Sequence, residues 1–136
     1  AKQWDKMKEL AIQSPIPIAL DEELIGVTAL ADKQKLLDSI SPQYIILKPS
    51  LHGGIAGCEE WIASAEERSI GWWVTSALES NIGLNAIAQW TATLNPTLAQ
   101  GLGTGMLFTD NIEMSLDILG NQLCFNPNKM NQIQLK

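Results

Sequence analysis

Four short stretches of this chain each give way to a polar or glycine residue, and the breaks recur at a nearly fixed interval. Ile16-Pro-Ile-Ala-Leu20 ends at Asp21, Tyr44-Ile-Ile-Leu47 at Lys48 and Ile70-Gly-Trp-Trp-Val74 at Thr75, and a glycine-rich turn with a last short strand opens at Gly101. Asp21 to Lys48 is 27 residues, Lys48 to Thr75 is 27, and Thr75 to Gly101 is 26. Helical periodicity fills the gaps. Trp4, Met7, Leu10 and Ala11 share a stripe between Lys2 and Gln13, and Leu30, Lys33, Leu36 and Leu37 mark Ala29 to Ile40. Cys58, Trp61, Ile62 and Ala65 mark Gly54 to Arg68, and Leu84, Ile87, Ala88 and Thr91 mark Ile82 to Leu94. Ser14-Pro15, Ser41-Pro42 and Asn95-Pro96 stop three of the four helices, because proline disfavours helical geometry in the residue before it. Helices alternating with strands imply a parallel sheet, and a (β/α)8 barrel of roughly 250 residues allots about 30 to each unit. A doubly wound open sheet tolerates the same alternation but has no reason for so regular a beat. Four units are half a barrel, placed over residues 1–108. Residues 109–136 are polar and rich in Asn and Gln, and read as an irregular tail or a segment docked elsewhere.

At 136 residues, 46% apolar and 18% charged, the chain is one globular domain in composition and long enough for a real core. A net charge of −6 argues against nucleic acid or an anionic membrane as partner. Cys58 and Cys124 lie far apart without metal-ligand spacing, which favours reduced thiols and a cytoplasmic location over a disulfide. No apolar run approaches the roughly 20 residues that span a bilayer, and no signal peptide opens the chain. The sequence instead begins inside an amphipathic helix, the expected look of the later part of something longer.

Barrel enzymes build their sites at the C-terminal ends of the strands. There Asp21, with Glu22 and Glu23, offers carboxylates suited to a hard cation such as magnesium, though acidic residues also favour a helix start. Lys48 leaves an apolar strand that Pro49 stops, followed by Gly53-Gly54, which lets a ligand approach the backbone. Such a lysine suits proton transfer or anion stabilisation; the plainer reading is a strand-end lysine reaching into solvent. Thr75 and Ser76, with Glu79 close behind, can hold a carboxylate or cap the next helix. Gly101, Gly103 and Gly105 lack the G-x-G-x-x-G fingerprint and are a weak signal alone. His52, the single histidine, reads as a loop residue rather than a general base, and the tryptophans as packing.

Taken together, Pro17-Ile-Ala-Leu-Asp21-Glu-Glu-Leu, Ile46-Leu-Lys48-Pro-Ser-Leu-His-Gly-Gly54 and Thr75-Ser-Ala-Leu-Glu79-Ser-Asn-Ile-Gly-Leu84 resemble the o-succinylbenzoate synthase branch of the enolase superfamily, and the resemblance runs on through Gly101-Leu-Gly-Thr-Gly105. It covers the C-terminal half of that family's barrel, strands five to eight. It implies a magnesium ion held by three carboxylates, of which Asp21 matches the third. It implies that Lys48 stabilises an enediolate anion by its charge, while a lysine on the second strand moves the proton. Thr75 and Gly101 match positions whose backbone amides hold the substrate's succinyl carboxylate, with Ser76 and Gly103 beside them and Glu22 and Glu79 in support. The implied reaction is a magnesium-dependent syn dehydration of a small carboxylate substrate, a step of menaquinone synthesis.

The capping domain, four strands, two metal carboxylates and the second-strand lysine of that pattern have no counterpart in the chain. The expectation is therefore an inactive polypeptide by itself, with two sheet edges that invite the missing N-terminal half or another copy. The tail would pack on the barrel or the capping domain. The alternatives are a sister activity on the same scaffold (muconate cycloisomerase, dipeptide epimerase or N-acylamino acid racemase) or a non-catalytic half-barrel acting in assembly.

Overall fold

A computed structural model describes residues 3–129. The expected helix start at Lys2 and the last seven residues of the expected tail lie outside the described residues. Helices and strands alternate as α1 (Trp4–Gln13), β1 (Ala19–Leu20), α2 (Leu30–Ile40), β2 (Tyr44–Leu47), α3 (Gly54–Glu66), β3 (Gly71–Val74) and α4 (Asn81–Thr93). Each boundary has a local cause. The Ser14 N–H closes α1 on Leu10 O just before Pro15, and Ser41 ends α2 in the left-handed region at φ 52 before Pro42. Gly53 and Gly54 take φ values of 88 and 74, which is what lets α3 start so soon after β2.

The first strand is shorter than the Ile16–Leu20 expected. Pro15 and Pro17 have no N–H to give a ladder, and the Ile18 N–H is taken by the Gln43 side chain at 2.8 Å. Pairing therefore covers only Ala19 and Leu20, opposite Tyr44 and Ile45. β2 and β3 pair in parallel over four residues, Tyr44 to Leu47 against Gly71 to Val74. Tyr44 needs Gly71 opposite it, since a Cβ there would sit 2.5 Å from the tyrosine ring. A fourth strand does not form. Its place is a single parallel bridge between Thr75 and Gly101, after which Gly103–Leu107 winds into a 3-10 turn.

The sheet runs β1-β2-β3 in sequence order, and the core lies on one of its faces. Ile45, Leu47 and Val74 have no exposed surface and pack with Leu36, Leu37 and Ile40 of α2 and with Cys58, Trp61 and Ala65 of α3. Tyr44, Ile46 and Trp73 point the other way and stay half-buried, Tyr44 and Trp73 meeting ring to ring at 5.8 Å. Helices on one face of sequential parallel strands make a barrel wall; a doubly wound sheet would place them on both. The stretch read as an irregular tail or docked segment holds an antiparallel hairpin, β4 (Leu116–Leu119) with β5 (Gln122–Phe125), turning at Gly120 (φ 64) and Asn121. Leu116 and Leu123 rest against the core.

Candidate active site

Parallel pairing sets the ends of β1, β2 and β3 along one edge, so Asp21, Lys48 and Thr75 follow the last paired residues Leu20, Leu47 and Val74. Gly101 joins them through its bridge to Thr75. Alternation along β2 puts Lys48 on the face of Tyr44 and Ile46, the one the helices leave uncovered. Its Nζ does not run into open solvent. It lies 2.7 Å from both carboxylate oxygens of Asp21 and donates a hydrogen bond to Oδ2. Asp21 in turn makes no side-chain cap to the 3-10 turn Glu22–Leu24 that it precedes; only its carbonyl accepts, from the Leu24 N–H. Glu22 and Glu23 do open a 3-10 turn behind Asp21, while the Asp21 side chain is given to Lys48 across 27 residues of sequence, in place of a lysine reaching into solvent.

Asp21 Oδ1 is buried and makes no hydrogen bond among the described residues, its charge being met by the Lys48 ammonium 2.7 Å away. A carboxylate oxygen left this way has a lone pair to give to a cation. No group of three His, Cys, Asp or Glu side chains that could hold a metal occurs among the described residues. Glu22 is exposed, and its carbonyl accepts from the Ile25 N–H at 3.1 Å to close the 3-10 turn. Glu79 accepts through both its oxygens from the Ala77 N–H at 3.0 and 2.9 Å, and its Oε1 also accepts from the Ser50 hydroxyl. It clasps the loop after β2 to the loop after β3.

Thr75 and Ser76 do not cap α4, which starts at Asn81 behind Ser80. The Thr75 hydroxyl donates to Gly101 O at 2.9 Å, and a Cβ on Gly101 would fall 2.6 Å from that hydroxyl oxygen. The Thr75 N–H is given to Leu47 O and the Gly101 N–H to Val74 O, each at 2.8 Å. The two amides that the resemblance assigned to a substrate carboxylate are therefore already paired within the sheet. The Ser76 hydroxyl, 7% exposed, shares a hydrogen bond with Thr104. A Cβ on Gly103 would meet nothing within 4 Å, so the backbone there borders free space.

Two residues carry more than the sequence suggested. His52 is 2% exposed, its Nδ1 accepts from the Lys48 N–H at 3.0 Å, and burial lowers its pKa to about 4. Lys33, expected on the sheet-facing stripe of α2, is 1% exposed and places its ammonium on Gly57 O (2.9 Å) and Glu60 (2.7 Å), over the Trp61 ring. Sequence spacing offered a hint only for His52, four residues after Lys48 in a tight turn. An open and mainly apolar cavity of about 810 Å3 lies between α4, the Pro96–Met106 segment and the hairpin; neither Asp21 nor Lys48 lines it.

A one-sided parallel sheet with a carboxylate and a lysine paired at its C-terminal edge defines a portion of a barrel enzyme's wall. The chain belongs to the enolase C-terminal domain-like family, whose pattern matches residues 1–118. It is 57% identical over 121 residues to the o-succinylbenzoate synthase of Desulfotalea psychrophila, which covers 89% of this chain and 33% of the relative. It is 30% identical over 97 residues to the o-succinylbenzoate synthase of Haemophilus influenzae, covering 71% and 28%. The crystal structure of MenC from Desulfotalea psychrophila superposes with a TM-score of 0.84 over 89% of this chain and 34% of that one. A substrate-liganded L-Ala-D/L-Glu epimerase from Bacillus subtilis, 22% identical, shares the fold at a TM-score of 0.77, over 90% and 34%. The chain spans about a third of the length of these relatives. Its fold is that of the C-terminal half of their (β/α)8 barrel.

Proposed function

We propose that this chain forms the C-terminal half of the catalytic barrel of an o-succinylbenzoate synthase, acting in the cytoplasm on a small carboxylate substrate. The observation that carries the reading is the Asp21–Lys48 pair at the strand ends, 2.7 Å apart on the uncovered face. The likeness to the Desulfotalea psychrophila synthase supports it. Lys48 holds a positive charge where the anion develops when the substrate loses its α-proton, and a charge already in place costs no reorganisation as the reaction proceeds. Asp21, whose Oδ1 makes no hydrogen bond and faces only the Lys48 ammonium, is the carboxylate that would be offered to a magnesium ion among the described residues. Magnesium, when bound, supplies Lewis-acid stabilisation of the substrate carboxylate. Glu79 holds the loops after β2 and β3 together and so shapes the rim. Because the sheet amides of Thr75 and Gly101 are taken, the substrate's distal carboxylate is received by the backbone just beyond, from Ser76 and around Gly103, where space is open.

The proton-transfer lysine and the other two carboxylates come from a complementary half of the barrel, which also covers the sheet edges. Joined to the N-terminal half of the Desulfotalea psychrophila synthase, the chain is expected to form o-succinylbenzoate in the presence of magnesium. Lys48→Ala should then lower turnover by at least about a thousandfold. Full activity in that variant, or turnover of only an epimerase or cycloisomerase substrate by the joined protein, would overturn the assignment.

A further inference from the structure

An ammonium serves as a fixed countercharge only if the peptide that carries it is fixed, and Lys48 sits where strand pairing gives way to a turn at Pro49. The N–H and the carbonyl of Lys48 both meet His52, and the carbonyl also accepts from the Leu51 N–H at 2.8 Å. The Lys48 N–H donates to Nδ1 of His52 at 3.0 Å, and the His52 N–H donates back to Lys48 O at 3.0 Å. With Nδ1 accepting, the neutral ring carries its proton on Nε2, which is buried without a partner among the described residues. The clasp is itself backed by α3: a Cβ on Gly57 would lie 2.2 Å from His52 O, so only glycine lets the helix run this close.

We propose that His52 is a positioning residue for Lys48, its ring holding the Lys48 N–H while its own N–H joins that of Leu51 on the Lys48 carbonyl, and so fixing the direction in which the side chain leaves β2 toward Asp21. The inference rests on the proposed function for what Lys48 is positioned to do. Neutrality is part of the device, because a protonated ring has two N–H donors and no acceptor for the Lys48 amide. Burial holds the ring neutral, with Lys48 and Lys33 pushing the same way and Asp21 opposing them.

His52 is the chain's only histidine, so the imidazole signals of the 136-residue chain belong to it alone. Nitrogen NMR of the ring should give the Nε2–H tautomer at neutral pH, with no protonation until well below pH 6. In His52→Leu, which keeps bulk but no acceptor, amide exchange at Lys48 should quicken about tenfold and the Lys48 side-chain ammonium resonance should move. In His52→Asn, whose Oδ1 stands where Nδ1 does, both should return toward their original values. An Nδ1–H tautomer, a ring titrating near 6.5, a Lys48 ammonium indifferent to His52→Leu, or Asn and Leu variants displaced alike would each overturn the proposal. Should His52→Leu not fold, the tautomer and His52→Asn decide. No readout depends on turnover, so a different activity for the assembled barrel would remove the function proposed above and leave this clamp standing.

Discussion

The edge formed by β1 to β3 and the lobe formed by the hairpin are held by opposite means. Behind the edge, Ile45, Leu47, Val74 and Trp61 have no exposed surface, and polar groups close on one another: Lys48 on Asp21, Lys33 on Gly57 and Glu60, His52 on Lys48. In the hairpin, Leu119 and Phe125 are 64% and 51% exposed, and an open cavity separates the strands from α4. A charge held in place is found in the first setting. The second leaves apolar surface exposed.

The contrast can be broken most directly by truncation. Trp61→Ala should cost about 3–5 kcal/mol in a urea titration, through a cavity in closely packed surroundings, whereas Phe125→Ala should cost less than about 1 kcal/mol. Equal losses would mean that the hairpin is as much a part of the core as α3. A pH series tests the polar half of the comparison. The folded pKa of His52, about 4, lies below its ordinary 6.5, so between those values the unfolded chain binds more protons and stability rises with pH. The contribution is complete above pH 6.5 and is lost as the pH falls toward 4, amounting to about 3 kcal/mol at most. His52→Asn should flatten that segment of the curve.

Gly101→Ala probes the seam between the two regions. Its new methyl would collide with the Thr75 side chain and should cost about 1–3 kcal/mol, measured by the same titration, with the Thr75–Gly101 bridge weakened. The smallest effect belongs to the surface. Asp38 accepts from Arg68 at 2.7 Å, and that hydrogen bond holds its carboxyl below the usual range, yet the group is fully exposed. Asp38→Asn should leave the denaturation midpoint unchanged within error.

The hairpin lies in the stretch expected to be an irregular tail or a docked segment, and Leu116 and Leu123 do dock on the core. Leu116-Asp-Ile-Leu119 and Gln122-Leu-Cys-Phe125 flank a Gly-Asn pair, which is a hairpin signal, but the surrounding Asn and Gln content drew the reading toward an irregular tail. The expected strand after Gly101 failed for another reason. A glycine-rich run has little side chain to pack, so beyond the bridge to Thr75 it curls into a turn.

Sequence by itself determined the four helices, the three paired parallel strands and the residue that ends each of those strands, because helical period, alternation and proline or glycine stops act over a few neighbouring residues. The half-barrel followed from the 27-residue beat, and with it Asp21 and Lys48 as the residues to watch. Only the tertiary structure decided what those residues touch: Lys48 on Asp21, the Lys33 ammonium turned inward to Gly57, the Thr75 hydroxyl spent on Gly101 rather than on a helix start. These partners stand 24 to 27 residues apart, one turn of the repeat, and their meeting depends on how neighbouring units pack rather than on any local preference of the chain.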